Sequence, residues 1–152
     1  MQSGTVDVRT ARDSDAAFVE RLSGEVFSEY TPRAAPRTAA MVHADGACTL
    51  VATVDGLPAG FAVVRASGDV AYLDAIAVRE PQRGRGLGRR LLAAAEEEAE
   101  RCGAKLVRLV TADANLAALE LFFKADYFIE RRLRRYYPRG QDALGLVKRL
   151  GP

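Results

Sequence analysis

The stretch from Leu73 to Leu92, LDAIAVREPQRGRGLGRRLL, constrains this chain more than any other. It opens as an apolar strand, is broken by Pro81, passes three glycines at alternate positions and continues as an amphipathic helix. Gly84, Gly86 and Gly88 permit positive φ and let a ligand approach the backbone closely. Successive N–H groups of such a loop point into one concavity, an anion nest. The helix beginning near Gly88 adds its own unpaired N–H donors and its dipole. Arg83, Arg85, Arg89 and Arg90 surround the loop with positive charge. A pyrophosphate suits these parts; the plainer alternative is a glycine-rich strand-to-helix turn with solvated arginines. The spacing GxGxG is neither the dinucleotide GxGxxG nor the P-loop GxxxxGK[ST].

The flanking sequence supplies a mixed sheet. Residues 6–9 alternate apolar and polar, a short strand. Asp13, Ser14 and Asp15 offer N-cap oxygens to a helix running to about Ser28, with Ala17, Phe18, Leu22 and Val26 on one face. Pro32 and Pro36 interrupt the next segment, which predicts a second, short helix over 37–43. Residues 47–54, 59–65 and 70–78 are apolar, rich in β-branched residues and separated by Asp55-Gly56 and Ser67-Gly68-Asp69, an antiparallel meander. A helix over 87–102, closed by Gly103, precedes a strand over 105–111, which makes a βαβ unit. A helix over 115–124 and strands over 127–136 and 143–150 complete the order β α α β β β α β α β β.

Composition narrows the function. A chain of 152 residues, 49% hydrophobic and 28% charged, is the size and make of one globular domain, so residues 1–152 are read as a single domain. No apolar run is long enough for a membrane helix and the N-terminus lacks a signal-peptide core, so the expected location is the cytoplasm. The lone histidine, His43, argues against a histidine-based metal site or a Ser/His/Asp triad. Cys48 and Cys102 have no ligand spacing and are expected as free thiols. A net charge of +2 does not by itself indicate nucleic acid. The arginine block 131–135 lacks the interleaved aromatics of a single-strand groove and reads as a solvated face or a docking surface for an acidic protein or RNA-rich assembly.

The central stretch resembles the acyl-CoA-binding motif of the GNAT N-acetyltransferase superfamily: an apolar strand (Ile76, Ala77, Val78), then Arg83-x-x-Gly86-x-Gly88, then a helix. Asn115 to Phe122, NLAALELF, is similar to that family's second motif, and the order of elements matches along nearly the whole chain. Arg135-Tyr136-Tyr137-Pro138 and Asp142-Ala143-Leu144 resemble the last hairpin of the protein N-terminal acetyltransferases, including the ribosomal-protein alanine enzymes. The resemblance implies a single-domain α/β (α+β) GNAT fold: a mixed central sheet with splayed central strands and about four helices.

It also implies acetyl-CoA as acyl donor, with no metal. The backbone of Ile76 and Val78 would pair with the pantetheine arm as an added strand. The N–H groups from Gly84 through Arg85, Gly86 and Leu87 to Gly88, with Arg89, would hold the pyrophosphate. Asn115 would contact the pantetheine, Phe122 would lie beside the coenzyme, and Lys124 would reach its phosphates. The amine would attack the thioester directly, with the Val78 N–H stabilising the developing charge.

Two positions depart from the family pattern. Phe122 stands where a tyrosine acid is common, and Val110 stands where the N-terminal acetyltransferases can carry a glutamate base. Substitute hydroxyls are Tyr136, Tyr137 and Tyr30, unless the thiolate leaves unprotonated. Substitute bases are Glu29 and Asp74. A carboxylate at Asp74 on a central strand is either a base or the partner of an arginine. Adjacent Tyr136 and Tyr137, read as strand residues, would face opposite sides. The resulting expectation is an acetyl-CoA-dependent N-acetyltransferase of primary amines. A protein or peptide N-terminus is the preferred acceptor and a small-molecule amine the second. A non-catalytic acyl-CoA-binding module is the reading from another class. Acceptor choice is expected to lie in 27–46 and the last hairpin, and the chain to be a monomer or a homodimer.

Overall fold

Among the described residues, seven strands pair into one sheet in the order β1-β2-β3-β4-β5-β7-β6. The strands are β1 (Val6–Thr10), β2 (Ala47–Val54), β3 (Leu57–Ser67), β4 (Val70–Val78), β5 (Leu106–Ala112), β6 (Phe128–Leu133) and β7 (Ala143–Arg149). The helices are α1 (Ala16–Phe27), α2 (Ala34–Val42), α3 (Leu87–Arg101) and α4 (Leu116–Lys124). This computed structural model describes residues 4–84 and 86–151. Only β4 and β5 run parallel, as the βαβ unit through α3 requires; the other neighbours are antiparallel.

Each face of the sheet is closed by the apolar stripe of a helix. On one face α3 sets Leu87, Leu91, Leu92, Ala95 and Ala99 against Ala62, Val64, Ala71 and Leu73, and α4 adds Leu119 and Phe122. Each of those leucines, fully buried, contributes about 1.5–3 kcal/mol. Gly60 makes the fit possible: a Cβ there would lie 2.8 Å from the Ala77 carbonyl oxygen and 3.1 Å from Leu91 Cδ1. On the other face Val19 and Leu22 of α1 pack on Phe61, Val63, Ala75 and Ala77. α1 and α2 are joined by a buried polar contact, in which Ser23 Oγ donates to the Ala34 carbonyl and pairs with Thr38 Oγ1.

Two features of β4 shape everything that follows. The β3 register runs Val63↔Ala75 and then Val64↔Leu73, so Asp74 is an extra residue on β4, a β-bulge. The bulge switches faces: Ala71 and Leu73 belong to the α3-side core, whereas Ala75 and Ala77 belong to the α1-side core. Beyond that point β4 leaves β5. The parallel pairs are Val70↔Leu106, Ala71↔Val107 and Tyr72↔Arg108, and among the described residues Leu73–Val78 has no partner on that side. The central strands are therefore splayed, as the family resemblance implies.

Three sequence expectations need correction. α2 starts at Ala34, not after Pro36. Arg33 takes φ +60 and leads directly into the helix, so Pro36 falls in the first turn, where a missing N–H costs nothing. β6 ends at Leu133, three residues short of the expected strand, because the chain turns through Arg135 at φ +48. Tyr136 and Tyr137 consequently lie in a turn and do not face opposite sides of a strand. Their rings instead meet edge to face, 5.0 Å apart.

Candidate active site

The unpaired edge of β4 is the first part of the site. The Arg79 N–H donates to the Ala59 carbonyl across β3 (2.8 Å). Backbone groups of successive strand residues point to opposite edges. The N–H and C=O of Val78 and Ile76 therefore point away from β3, into the splay, while those of Ala77 point toward β3. Of the three strand positions expected to meet the coenzyme, Ile76 and Val78 present their backbone there and Ala77 does not. Arg83 Nε donates to the Val78 carbonyl (3.0 Å). That bond ties the loop to the strand end and leaves the Val78 N–H toward the opening.

The glycine loop is the second part. Gly84 (φ +84) and Gly86 (φ +79) are both left-handed. A Cβ at either would meet no protein atom within 4 Å, so the surface beside them is open. Gly86 is the N-cap of α3 and offers no side chain to its first N–H groups. Leu87 contributes only backbone, since its side chain is buried in the core. Gly88 packs against α4: a Cβ there would lie 3.4 Å from Leu121 Cδ2. Arg89 is exposed, and Arg90 is turned away to donate to the Val6 carbonyl (3.0 Å). Arg85 lies outside the described residues.

α4 bears the remaining expected coenzyme contacts. Asn115 Oδ1 accepts the Ala118 N–H (3.2 Å), an N-cap, and the residue also lines the cavity described below. Phe122 is 2% exposed and edge-on to Tyr127 (5.7 Å), so it is a core residue rather than part of an open surface. Lys124 is exposed and pairs with Glu120 one turn away (3.5 Å).

The third part is a cavity of about 240 Å³ on the α1–α2 face of the splay. Its walls come from four separated segments: Phe27 to Met41, β4 from Tyr72 to Ala75, β5 with Asn115, and β6–β7 with their connection. Tyr136 and Tyr137 line it, and Tyr30 stacks on Tyr137 at 5.5 Å. Burial pushes the Tyr137 hydroxyl up to about 12 and raises that of Tyr30 as well, so both remain neutral donors at physiological pH. Gly145 of β7 lets Arg131 lie across the sheet; a Cβ there would stand 3.0 Å from Arg131 Cγ.

The proposed bases fall on different sides of this cavity. Asp74 lines it, but both carboxylate oxygens are engaged by Arg65, at 2.8 Å from Nε and 3.2 Å from Nη2. The same guanidinium sits 4.6 Å over the Tyr72 ring, and its bond to Asp74 raises its own pKa. Glu29 is exposed and outside the lining; its backbone carbonyl accepts from Gln141 Nε2 (3.1 Å) and Arg139 Nη1 (3.4 Å), which ties the α1–α2 connection to the last hairpin. Sequence reasoning missed Arg37, Arg131 and the Arg108–Glu130 pair (3.0 Å) at this cavity, and Arg65, which lies outside the lining and holds Asp74. The one local signal was Gly145, a lone glycine inside a strand. Among the described residues no cluster of histidine, cysteine or carboxylate groups is arranged to hold a metal, and no helix is long and apolar enough to cross a membrane.

Comparison with known proteins places this geometry. No curated protein matches the chain in sequence. Among solved structures, the ribosomal-protein-S18-alanine N-acetyltransferase of Escherichia coli superposes with a TM-score of 0.82 at 22% identity, covering 97% of this chain and 96% of that one. Ard1 of Thermoplasma volcanium gives 0.84 at 24% identity over 97% and 99%. The yncA protein of Salmonella typhimurium, solved with its cofactor acetyl-CoA, gives 0.81 at 20% identity over 96% and 94%. These likenesses establish a shared fold. Residues 15–127, from the N-cap of α1 to just past α4, match the model of the Acetyltransferase (GNAT) family, and the chain therefore belongs to that family of acyltransferases.

Proposed function

We propose that the chain transfers an acetyl group from acetyl-CoA to the α-amine of a protein or peptide N-terminus. The observation that carries this reading is the open edge of β4 from Leu73 to Val78, with the glycine turn at one end and the tyrosine-lined cavity along its flank. Two structural relatives with peptide acceptors support the acceptor class: the S18-alanine enzyme, and the NatC complex, which was solved with a Gag peptide and CoA.

The residues present fit the donor. When bound, acetyl-CoA supplies its acetyl group as a thioester, which a neutral amine attacks. Ile76 N–H and C=O and Val78 N–H are the strand contacts available to the pantetheine arm. The backbone of Gly84, Gly86, Leu87 and Gly88, with Arg89, holds the pyrophosphate at the start of α3. Arg85 belongs to the same loop. Asn115 closes the pantetheine side. Arg83, by taking the Val78 carbonyl, fixes the direction of the Val78 N–H.

On the acceptor side, Tyr136 is the proposed donor to the leaving thiolate. Asp74 is committed to Arg65 and Glu29 lies off the cavity, so the amine proton leaves through solvent rather than to either carboxylate. The test is release of CoA thiol when the purified chain meets acetyl-CoA and a panel of peptides and small amines. Thiol release with peptides is expected. Release with small amines alone would overturn the acceptor class, and none across the panel would overturn the reaction.

A further inference from the structure

The charges around the cavity do not balance, and the imbalance has a chemical meaning. Two carboxylates line it, and each is matched by its own arginine: Asp74 by Arg65, and Glu130 by Arg108. Arg37 on α2 and Arg131 on β6, both exposed, line it too, and neither forms an ion pair among the described residues, although Arg131 lies near enough to Glu130 to lower its pKa. They approach from opposite walls. Arg37 is near enough to Tyr137 to pull the pKa of its hydroxyl back down, and Arg131 lies across Gly145. The lining thus carries three arginines against two carboxylates, with Arg65 behind Asp74, and leaves Arg37 and Arg131 outside any ion pair beside the aromatic rings.

An amine acceptor arrives in water as an ammonium ion, which two guanidinium groups repel. An acceptor that carries an anion close to the amine offsets that repulsion and gives each arginine a fork-shaped partner. Building on the acetyl-transfer reading above, we propose that Arg37 and Arg131 select primary amines with a carboxylate a few ångströms away. The carboxylate comes either from an acidic residue at position two or three of a peptide N-terminus, or from the α-carboxylate of a free amino acid.

Steady-state thiol release separates these sources. The probes are hexapeptides that begin Ala-Asp, Ala-Ala or Ala-Lys, together with free alanine and its amide. The expected order in kcat/KM is Ala-Asp over Ala-Ala over Ala-Lys, with about a tenfold step between the charge types. The steps should shrink as salt rises from about 20 to about 300 mM, over which the Debye length shortens roughly fourfold. Free alanine turned over ahead of all the peptides would assign the carboxylate to an amino acid. The charge-reversed variants Arg37→Glu and Arg131→Glu should favour Ala-Lys, with the change carried by KM and acetyl-CoA affinity held. Equal kcat/KM for the three peptides would overturn the charge selection and leave acetyl transfer standing. If no thiol is released at all, acetyl transfer falls, and the selection is read instead from peptide affinity by calorimetry. Equal affinities there overturn it, and a tighter Ala-Asp peptide upholds it.

Discussion

The two sides of the splay are built from different materials. The proposed donor side is backbone: an unpaired strand edge, two left-handed glycines and the start of a helix. The proposed acceptor side is side chains: four tyrosines, two matched ion pairs and two arginines outside any ion pair among the described residues, contributed by segments more than one hundred residues apart in sequence. A backbone site needs a fixed local conformation, so it tolerates few substitutions and reads as a motif. A side-chain cavity needs only that distant walls converge, so its lining can be exchanged while the fold stays. This contrast explains how one donor can serve many acceptors within a family.

The sharpest way to break the comparison is the double variant Gly86→Glu, Gly88→Glu. Negative charge at the pyrophosphate position, together with strain at φ +79, should weaken acetyl-CoA binding by about 100-fold or more, measured by calorimetry with the fold checked by circular dichroism. Undiminished affinity would remove the loop from the site. Next in size is the Arg65–Asp74 pair. Asp74→Asn leaves a half-buried guanidinium short of its charge partner and should cost about 1–3 kcal/mol in denaturant unfolding. Arg65→Gln should lower kcat to the same degree as Asp74→Asn if the pair holds the bulge. If Asp74 were the base, Arg65→Gln would leave kcat nearly intact.

Smaller still is Tyr136→Phe, with about a tenfold fall in kcat, because a thiolate leaves without much help from an acid. An unchanged kcat across pH would strike Tyr136 from the mechanism. The smallest effect is a titration. Tyr137 has a folded pKa of about 12 against 10.0 for an unperturbed tyrosine. A raised pKa stabilises the fold fully below pH 10, and that contribution is lost as pH climbs from 10 toward 12. Tyr30 and Tyr127 are raised as well, so phenolate absorbance should show several late-titrating rings, of which the one near pH 12 disappears in Tyr137→Phe.

The strand–glycine–helix element proposed as the donor side was readable because its residues are consecutive: the strand, the glycines and the start of the helix stripe all lie between Leu73 and Leu92. The bulge was not. Leu73, Ala75 and Ala77 keep an unbroken small-and-apolar alternation, so nothing in the pattern reveals that the first faces α3 and the other two face α1. The role of Asp74 depended on Arg65, nine residues earlier on a neighbouring strand, a pairing that only the β3–β4 register creates. Pro36 was misread for a related reason. Its effect depends on the position of the helix start, which the αL conformation of Arg33 sets one turn earlier than composition suggests. The tyrosines of the last hairpin stand out in the sequence and line the cavity, but their shared orientation comes from the turn at Arg135.

The splay also has a mechanical side. Strands β1–β4 form one plate and β5–β7 another, and between them the sheet is stitched by three residue pairs, Val70↔Leu106 to Tyr72↔Arg108. Those three pairs behave as a hinge at one end of a wedge. A strand-like guest in the open end acts as a strut, replacing the missing ladder and fastening the plates together. Donor binding and sheet rigidity are then one event, and thermal stability becomes a gauge of occupancy.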